Sequence, residues 1–285
     1  MSANLIQERL NFYNCQSVQE EENAIREIAQ EVVLGGLSRS GFFKRAAFQG
    51  GSCLRIVYGL ERFSEDLDFV LVEKNESFRL DNYLTGLNAE LKAYGFDFTL
   101  KDRNEIKETV QKQFLKDTSL VKLLGFQHFK PGKDRRTIKV KIEVDTNPPE
   151  GSEFEIKYHD FPFVYEIALQ DIPSLFAGKT HALLCREYIK GRDWYDFIWY
   201  ASRKTRINYT LLSAAIDQQG PWKGKGIKVD KDWYLKKMGD RIKQIDLNQA
   251  RNDVKRFVKP YELPSIEIWN TEFFLDRLDK LSKTL

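Results

Sequence analysis

Gly50-Gly51-Ser52, followed by Asp66-Leu67-Asp68, restricts what this chain can fold into more than any other part of it. A glycine-glycine-serine turn that opens a short helix offers backbone N–H groups and a hydroxyl at the positive end of the helix dipole, where a phosphate is stabilised. Side chains at i and i+2 of a strand share one face, so Asp66 and Asp68 can grip the same divalent ions. Between them, Cys53 to Glu65 supply 13 residues. That length holds one short helix and a return turn, which sets the serine loop beside the carboxylates. Each motif alone also reads as a plain turn or a polar strand end; their order as turn, helix, turn and strand carries the reading.

The pattern around this unit is mixed. Residues 1–40 read as mostly helical, with Ile25, Ile28, Val32 and Val33 at helical spacing. Phe42–Phe48 leads into the glycine turn, Cys53–Tyr58 is a short helix and Leu67–Val72 a buried strand. Asn82–Tyr94 reads as a helix with Leu84, Leu87 and Leu91 on one side, ended by Gly95. Phe96–Leu100, Leu120–Phe129 and Thr137–Asp145 read as strands. Asn147-Pro148-Pro149-Glu150-Gly151 stops the last of these, because proline cannot donate to a ladder. After a strand or two, the chain turns helical from Ile172 onward, apart from the Gly220–Lys231 loop. The expected fold is α+β, with a boundary near residue 150 between an N-terminal α/β part (1–150) and a mostly helical C-terminal part (151–285).

A phosphate cradle beside paired carboxylates suits nucleotidyl transfer on a nucleoside triphosphate with magnesium, and a third carboxylate on a neighbouring strand would complete the metal site. Ile138–Asp145 alternates, with Ile138, Val140, Ile142 and Val144 on one face and Lys139, Lys141, Glu143 and Asp145 on the other. Glu143 is preferred over Asp145, which stands nearer the strand end and could cap the Thr146-Asn147 turn. On a helix that follows, Lys179 and Arg186 lie two turns apart and could both address a triphosphate. Asp193, in the first turn of the next helix, could stabilise that helix, hold Lys179 or Arg192 in place, or act as a base.

Composition excludes other classes. With 42% hydrophobic and 31% charged residues, the 285-residue chain reads as an ordinary globular protein. No apolar run is long enough to span a membrane, and Met1–Phe12 does not read as a leader. The three cysteines, Cys15, Cys53 and Cys185, lack metal spacing and fit a reducing cytoplasm. His128, His159 and His181 are scattered and read as structural or surface groups. Neither a serine-hydrolase elbow nor a P-loop lysine is present. The net charge is only +3, yet bases gather at Lys130, Lys133, Arg135, Arg136, Lys139 and Lys141, and again at Lys223, Lys225, Lys228, Lys231, Lys236 and Lys237. The second group is interleaved with Trp222, Trp233 and Tyr234, a mixture that suits a nucleic-acid backbone and its bases, or simply a solvated surface.

Phe48–Arg55, Arg62–Phe69, Lys141–Asp145 and Lys179–Tyr200 together resemble the AbiEii/AbiGii toxin family of nucleotidyltransferases, within the DNA polymerase β-like superfamily. The resemblance implies a polymerase-β-like nucleotidyltransferase lobe with a mixed sheet and a helical C-terminal lobe. It implies an NTP substrate, Mg²⁺, an RNA acceptor (tRNA among the candidates) and a companion antitoxin. By motif, Gly50, Gly51 and Ser52 would hold phosphate, with serine where the family more often has threonine. Asp66 and Asp68 would bind metal, and the strand motif favours Glu143 over Asp145 as the third carboxylate. Lys179 would meet the nucleotide, and Asp193 would be a catalytic or positioning acid. Modification of a protein hydroxyl and a non-catalytic nucleotide- or RNA-binding module are the competing readings.

Overall fold

The computed structural model describes residues 2–102, 119–128 and 136–285. The chain divides into two compact units. The first comprises residues 1–59, 63–148 and 155–169; the second comprises 60–62, 149–154 and 170–285.

The first unit is built on a seven-stranded mixed sheet. Its strands are β1 (Ala46–Gln49), β2 (Asp66–Leu71), β3 (Asp97–Asp102), β4 (Ser119–His128), β5 (Arg136–Asp145), β6 (Phe154–His159) and β7 (Tyr165–Gln170), in the spatial order β3-β4-β5-β2-β1-β7-β6. β2 runs parallel to β5 and antiparallel to β1, and β1 runs parallel to β7. Helices α1 (Ser2–Phe12), α2 (Val18–Arg39), α3 (Gly50–Tyr58) and α4 (Asp81–Ala93) belong to the same unit. Ser17 caps α2, its hydroxyl accepting the Glu20 N–H at 3.2 Å, while the Glu20 carboxylate accepts the Gln16 N–H at 3.1 Å. Together the two bonds cap the N-terminus of α2. Ile25, Ile28, Val32 and Val33 are buried as their spacing requires. Phe69 of β2 packs on Phe42 and Phe48, with ring centroids 4.9 and 5.4 Å away. Of the first basic group, Lys130, Lys133 and Arg135 lie outside the described residues, as does Phe129.

Near the boundary expected at residue 150 the chain passes between the units more than once, residues 149–154 counting with the second. β6 and β7 return to the edge of the first sheet, and residues 155–169 therefore count with the first unit. The helix after the glycine turn also begins at Gly50 rather than Cys53, so the glycines form its first turn.

The second unit is helical among its described residues: α5 (Ile172–Cys185), α6 (Gly191–Ser202), α7 (Tyr209–Gln218), α8 (Lys231–Gln244), α9 (Leu247–Val254), α10 (Leu263–Glu267) and α11 (Thr271–Ser282). Side chains of Asp171, Asn208, Asp230, Asp246 and Asn270 cap the N-termini of α5, α7, α8, α9 and α11. Phe176 stacks on Tyr200 at 4.3 Å, and Trp194 and Trp269 meet Phe274 edge-on at 5.3 and 5.4 Å. Gly191 begins α6 against α9, and a Cβ there would sit 1.8 Å from the Ala250 carbonyl oxygen. Among the described residues, no helix is long and apolar enough to cross a membrane.

Gly191→Ala must therefore push α6 from α9, at a cost of roughly 2–3 kcal/mol. Thermal denaturation of the purified variant checks this: the midpoint falls by several degrees, and an unchanged midpoint contradicts the packing.

Candidate active site

One set of candidate residues comes from the first unit. Phe48 pairs with Phe69 and Gln49 with Asp68 across β1 and β2. Across β2 and β5, Asp66 is beside Lys141, Leu67 beside Ile142 and Asp68 beside Glu143. Side chains alternate along a strand, so these pairs sort by face. Leu67, Phe69, Ile142 and Val144 are wholly buried. Asp66, Asp68, Lys141 and Glu143 stand together on the other face, each half-buried.

The glycine turn completes this face. Gly50 has φ +80°, and a Cβ on it would lie 2.5 Å from Asp68 Oδ2. Glycine is thus needed here for the backbone conformation and for the space that the Asp68 carboxylate occupies. Ser52 is fully buried, and its hydroxyl donates to the Asp66 carbonyl. That bond ties α3 to the start of β2 and commits the hydroxyl proton. The groups left to meet an anion at the turn are the first-turn N–H groups, which have no partner within the helix.

Lys141 Nζ lies 2.6 Å from Glu143 Oε2. Burial disfavours its ammonium, but Glu143, Asp66 and Asp68 outweigh that and hold its pKa above the ordinary lysine value. The donor chemistry of Asp66, Asp68 and Glu143 fits a hard divalent cation, since all offer carboxylate oxygens. Among the described residues no three such side chains converge on one ion position; Glu143 engages the Lys141 ammonium instead. Asp145 accepts the Asn147 N–H at 3.0 Å and stands beside Val70 rather than an aspartate, so it caps the turn.

A second set lies in the second unit. Asp193 and Asp196, three residues apart on α6, face the same way. Lys179 Nζ reaches Asp193 Oδ1 at 2.6 Å and Asp196 Oδ2 at 2.8 Å. Arg186 donates to the other oxygen of Asp193. Arg62 grips Asp196 with two bonds of 2.6 Å, from Nε to Oδ1 and from Nη2 to Oδ2. Arg62 and Asp196 are 2% and 0% exposed, so neither charge has water to replace the other. Burial opposes the Asp193 charge, but Lys179, Arg186 and Lys190 hold its carboxyl well below the usual carboxylate range. The Lys190 ammonium is pushed down to about 8, first by burial and then by its cationic neighbours, against the pull of Asp193.

Lys179 and Arg186 do not share a helix face, contrary to their spacing. α5 ends at Cys185, and Arg186 is extended with ψ 135°. They meet through the Asp193 carboxylate instead. Arg62 and Asp196 were not singled out in the sequence. Asp196 carries a weak signal, its i+3 spacing from Asp193; Arg62 carries none. Of the histidines, His159 pairs with Glu31 at 2.9 Å and His181 meets the Gln219 carbonyl at 3.1 Å. The side chain of His128 lies outside the described ones.

Two outcomes follow for this site. Gly50→Ala forces a strained backbone and displaces the Asp68 carboxylate, so divalent-cation affinity measured by calorimetry falls at least about tenfold; wild-type affinity contradicts the contact. Asp193 titrates lower in the folded chain than in the unfolded one. Its stabilisation is thus complete above about pH 4 and is lost as pH falls further. Urea unfolding between about pH 2 and 5 is expected to give Asp193→Asn a flatter decline than wild type, and parallel curves contradict the pairing.

The geometry can be set against known proteins. A family model described as "Nucleotidyl transferase AbiEii toxin, Type IV TA system" matches residues 32–277. No curated protein matches the sequence significantly. Among solved structures, a Helicobacter pylori chain provisionally named a nucleotidyltransferase is similar with a TM-score of 0.51 and 18% identity, over 90% of this chain and 92% of that one. JHP933 from Helicobacter pylori is similar with a TM-score of 0.49 and 17% identity, over 92% of this chain and 91% of that one. At such identity the first likeness is one of fold.

Proposed function

Because the chain belongs to the AbiEii family of nucleotidyl transferase toxins from type IV toxin–antitoxin systems, we propose that it moves an NMP from an NTP to the 3′ end of an RNA, tRNA being one candidate. The observation that carries this is the common face of Asp66, Asp68 and Glu143, set by the β2–β5 register, with the Gly50 turn against Asp68. These carboxylates would hold Mg²⁺. A divalent ion bound there supplies charge neutralisation on the triphosphate and a more acidic attacking hydroxyl.

The remaining roles belong to the chain's own groups. First-turn N–H groups of α3 hold phosphate oxygens, and Ser52 keeps that turn tied to β2. In the second unit Asp193 positions Lys179 and Arg186, two cations suited to a nucleotide's phosphates. Asp193 is a positioning acid in this reading: a carboxyl held so far below neutral by three cations is a poor proton acceptor. Lys141 balances the carboxylates until the substrate and its ion arrive. The protein works in the cytoplasm, and a cognate antitoxin counters it.

Purified protein, Mg²⁺, bacterial RNA and each α-phosphate-labelled NTP, resolved on a denaturing gel, test the proposal. Label enters RNA with one preferred NTP. Asp66→Asn and Asp68→Asn each cut that labelling by at least about a hundredfold, with thermal midpoints close to wild type. Full activity in both variants rejects the assignment, and label in a protein band moves the acceptor to a protein hydroxyl.

A further inference from the structure

The basic, aromatic segment between α7 and α8 has no part in either set of candidate residues. It is nevertheless held firmly. The Gly224 N–H donates to the Asp217 carbonyl at 2.9 Å, and the Gly226 N–H to Asp217 Oδ1 at 2.7 Å. Val229 N–H donates to Ser213 Oγ at 2.9 Å. Gly224 and Gly226 take φ +69° and +59°, values that let the loop fold tightly, with Lys223 and Lys225 flanking Gly224 and Lys228 two residues after Gly226.

This fixed loop displays positive charge. Lys223, Lys225 and Lys228 on the loop, and Lys236 on α8, are exposed. None of the four has an ion-pair partner among the described residues. Lys231 is bonded to the Leu285 carbonyl at 3.3 Å, and Lys237 lies 5.8 Å from the Trp222 ring centre. Two of the four nearest acids in sequence are spent on backbone. Asp217 holds Gly226, and Asp230 caps α8 by accepting the Trp233 N–H at 2.8 Å. Asp232 and Asp240 remain exposed on α8. Trp222 and Trp233 pack edge to face at 5.2 Å, each half-buried, so part of both indoles stays open beside the lysines.

Unpaired lysines on a rigid frame suit phosphates at fixed spacing, and open indole suits a stacked base. We propose that residues 222–237 form the docking surface for the RNA acceptor. Lys223, Lys225 and Lys228 take the ribose-phosphate backbone, and the Trp222–Trp233 pair takes an unpaired base. The RNA assignment rests on the function proposed above; the surface itself rests on these contacts. An acidic protein would satisfy the charge but would leave the open indoles without a planar partner.

The test is a titration of a fluorescently labelled single-stranded oligoribonucleotide over a range of salt, with poly-glutamate as the acidic-polypeptide probe. In Lys223→Gln/Lys225→Gln/Lys228→Gln, RNA affinity falls tenfold or more and the slope of log affinity on log salt drops by about 2. Trp233→Phe, which keeps an aromatic ring, retains binding but loses part of the tryptophan quenching that RNA causes. Unchanged affinity and slope in the triple variant overturn the surface, as does wild-type binding of poly-glutamate as tight as RNA. Binding needs no turnover, so the two proposals fail separately. RNA binding without labelling rejects the transfer reaction alone. Labelling by the triple variant with an unchanged KM for RNA rejects the surface alone.

Discussion

Parallel pairing of β2 with β5 is the constraint on which the candidate site depends. That register puts Asp68 beside Glu143 and Asp66 beside Lys141, and alternation sends the intervening Leu67 and Ile142 into the core. A slip of one residue would bury the carboxylates and expose the apolar residues. The hydrophobic face of the sheet therefore fixes where the charges stand. Gly50 adds the second dimension, because its missing side chain is the space in which the Asp68 carboxylate lies. Glycine turn and acidic strand are thereby held to one geometry by backbone pairing and close packing.

Charge in the second unit is organised differently. Three cations, Arg62, Lys179 and Arg186, surround the two carboxylates of α6, and most of these groups are deeply buried. Buried ion pairs of this kind contribute little net stability, but losing one partner is expensive, roughly 3–5 kcal/mol. Their value lies in orientation. Lys179 is gripped by two carboxylates, one of which is itself locked bidentately by Arg62, so its ammonium has little freedom. In the role proposed for Lys179 such restraint would be an advantage, because the cost of orienting the ammonium is met during folding.

Much of this was legible in the sequence because it rests on local rules. The alternation of Ile138–Asp145 gives the polar face directly, and the glycine pair before an Asp-x-Asp strand gives the turn. The β6–β7 return to the first sheet was not legible, since strand order depends on long-range packing that no local pattern encodes. Arg62 and Asp196 escaped for the same reason: they are 134 residues apart, and nothing in either neighbourhood marks a fully buried pair. Ser52 was given to phosphate because a hydroxyl beside two glycines suits it, whereas the fold spends its proton on the Asp66 carbonyl. The lysine–tryptophan segment was visible as composition only; its fixed backbone and unpaired charges needed coordinates.

The most direct test of the central claim is a crystal structure with Mg²⁺ and a non-hydrolysable NTP. The account predicts Mg²⁺ on Asp66 and Asp68, Glu143 drawn from Lys141 towards the ion, and triphosphate oxygens at the first-turn N–H groups of α3. A triphosphate bound elsewhere, with Glu143 still on Lys141 and no ion at the two aspartates, would contradict it.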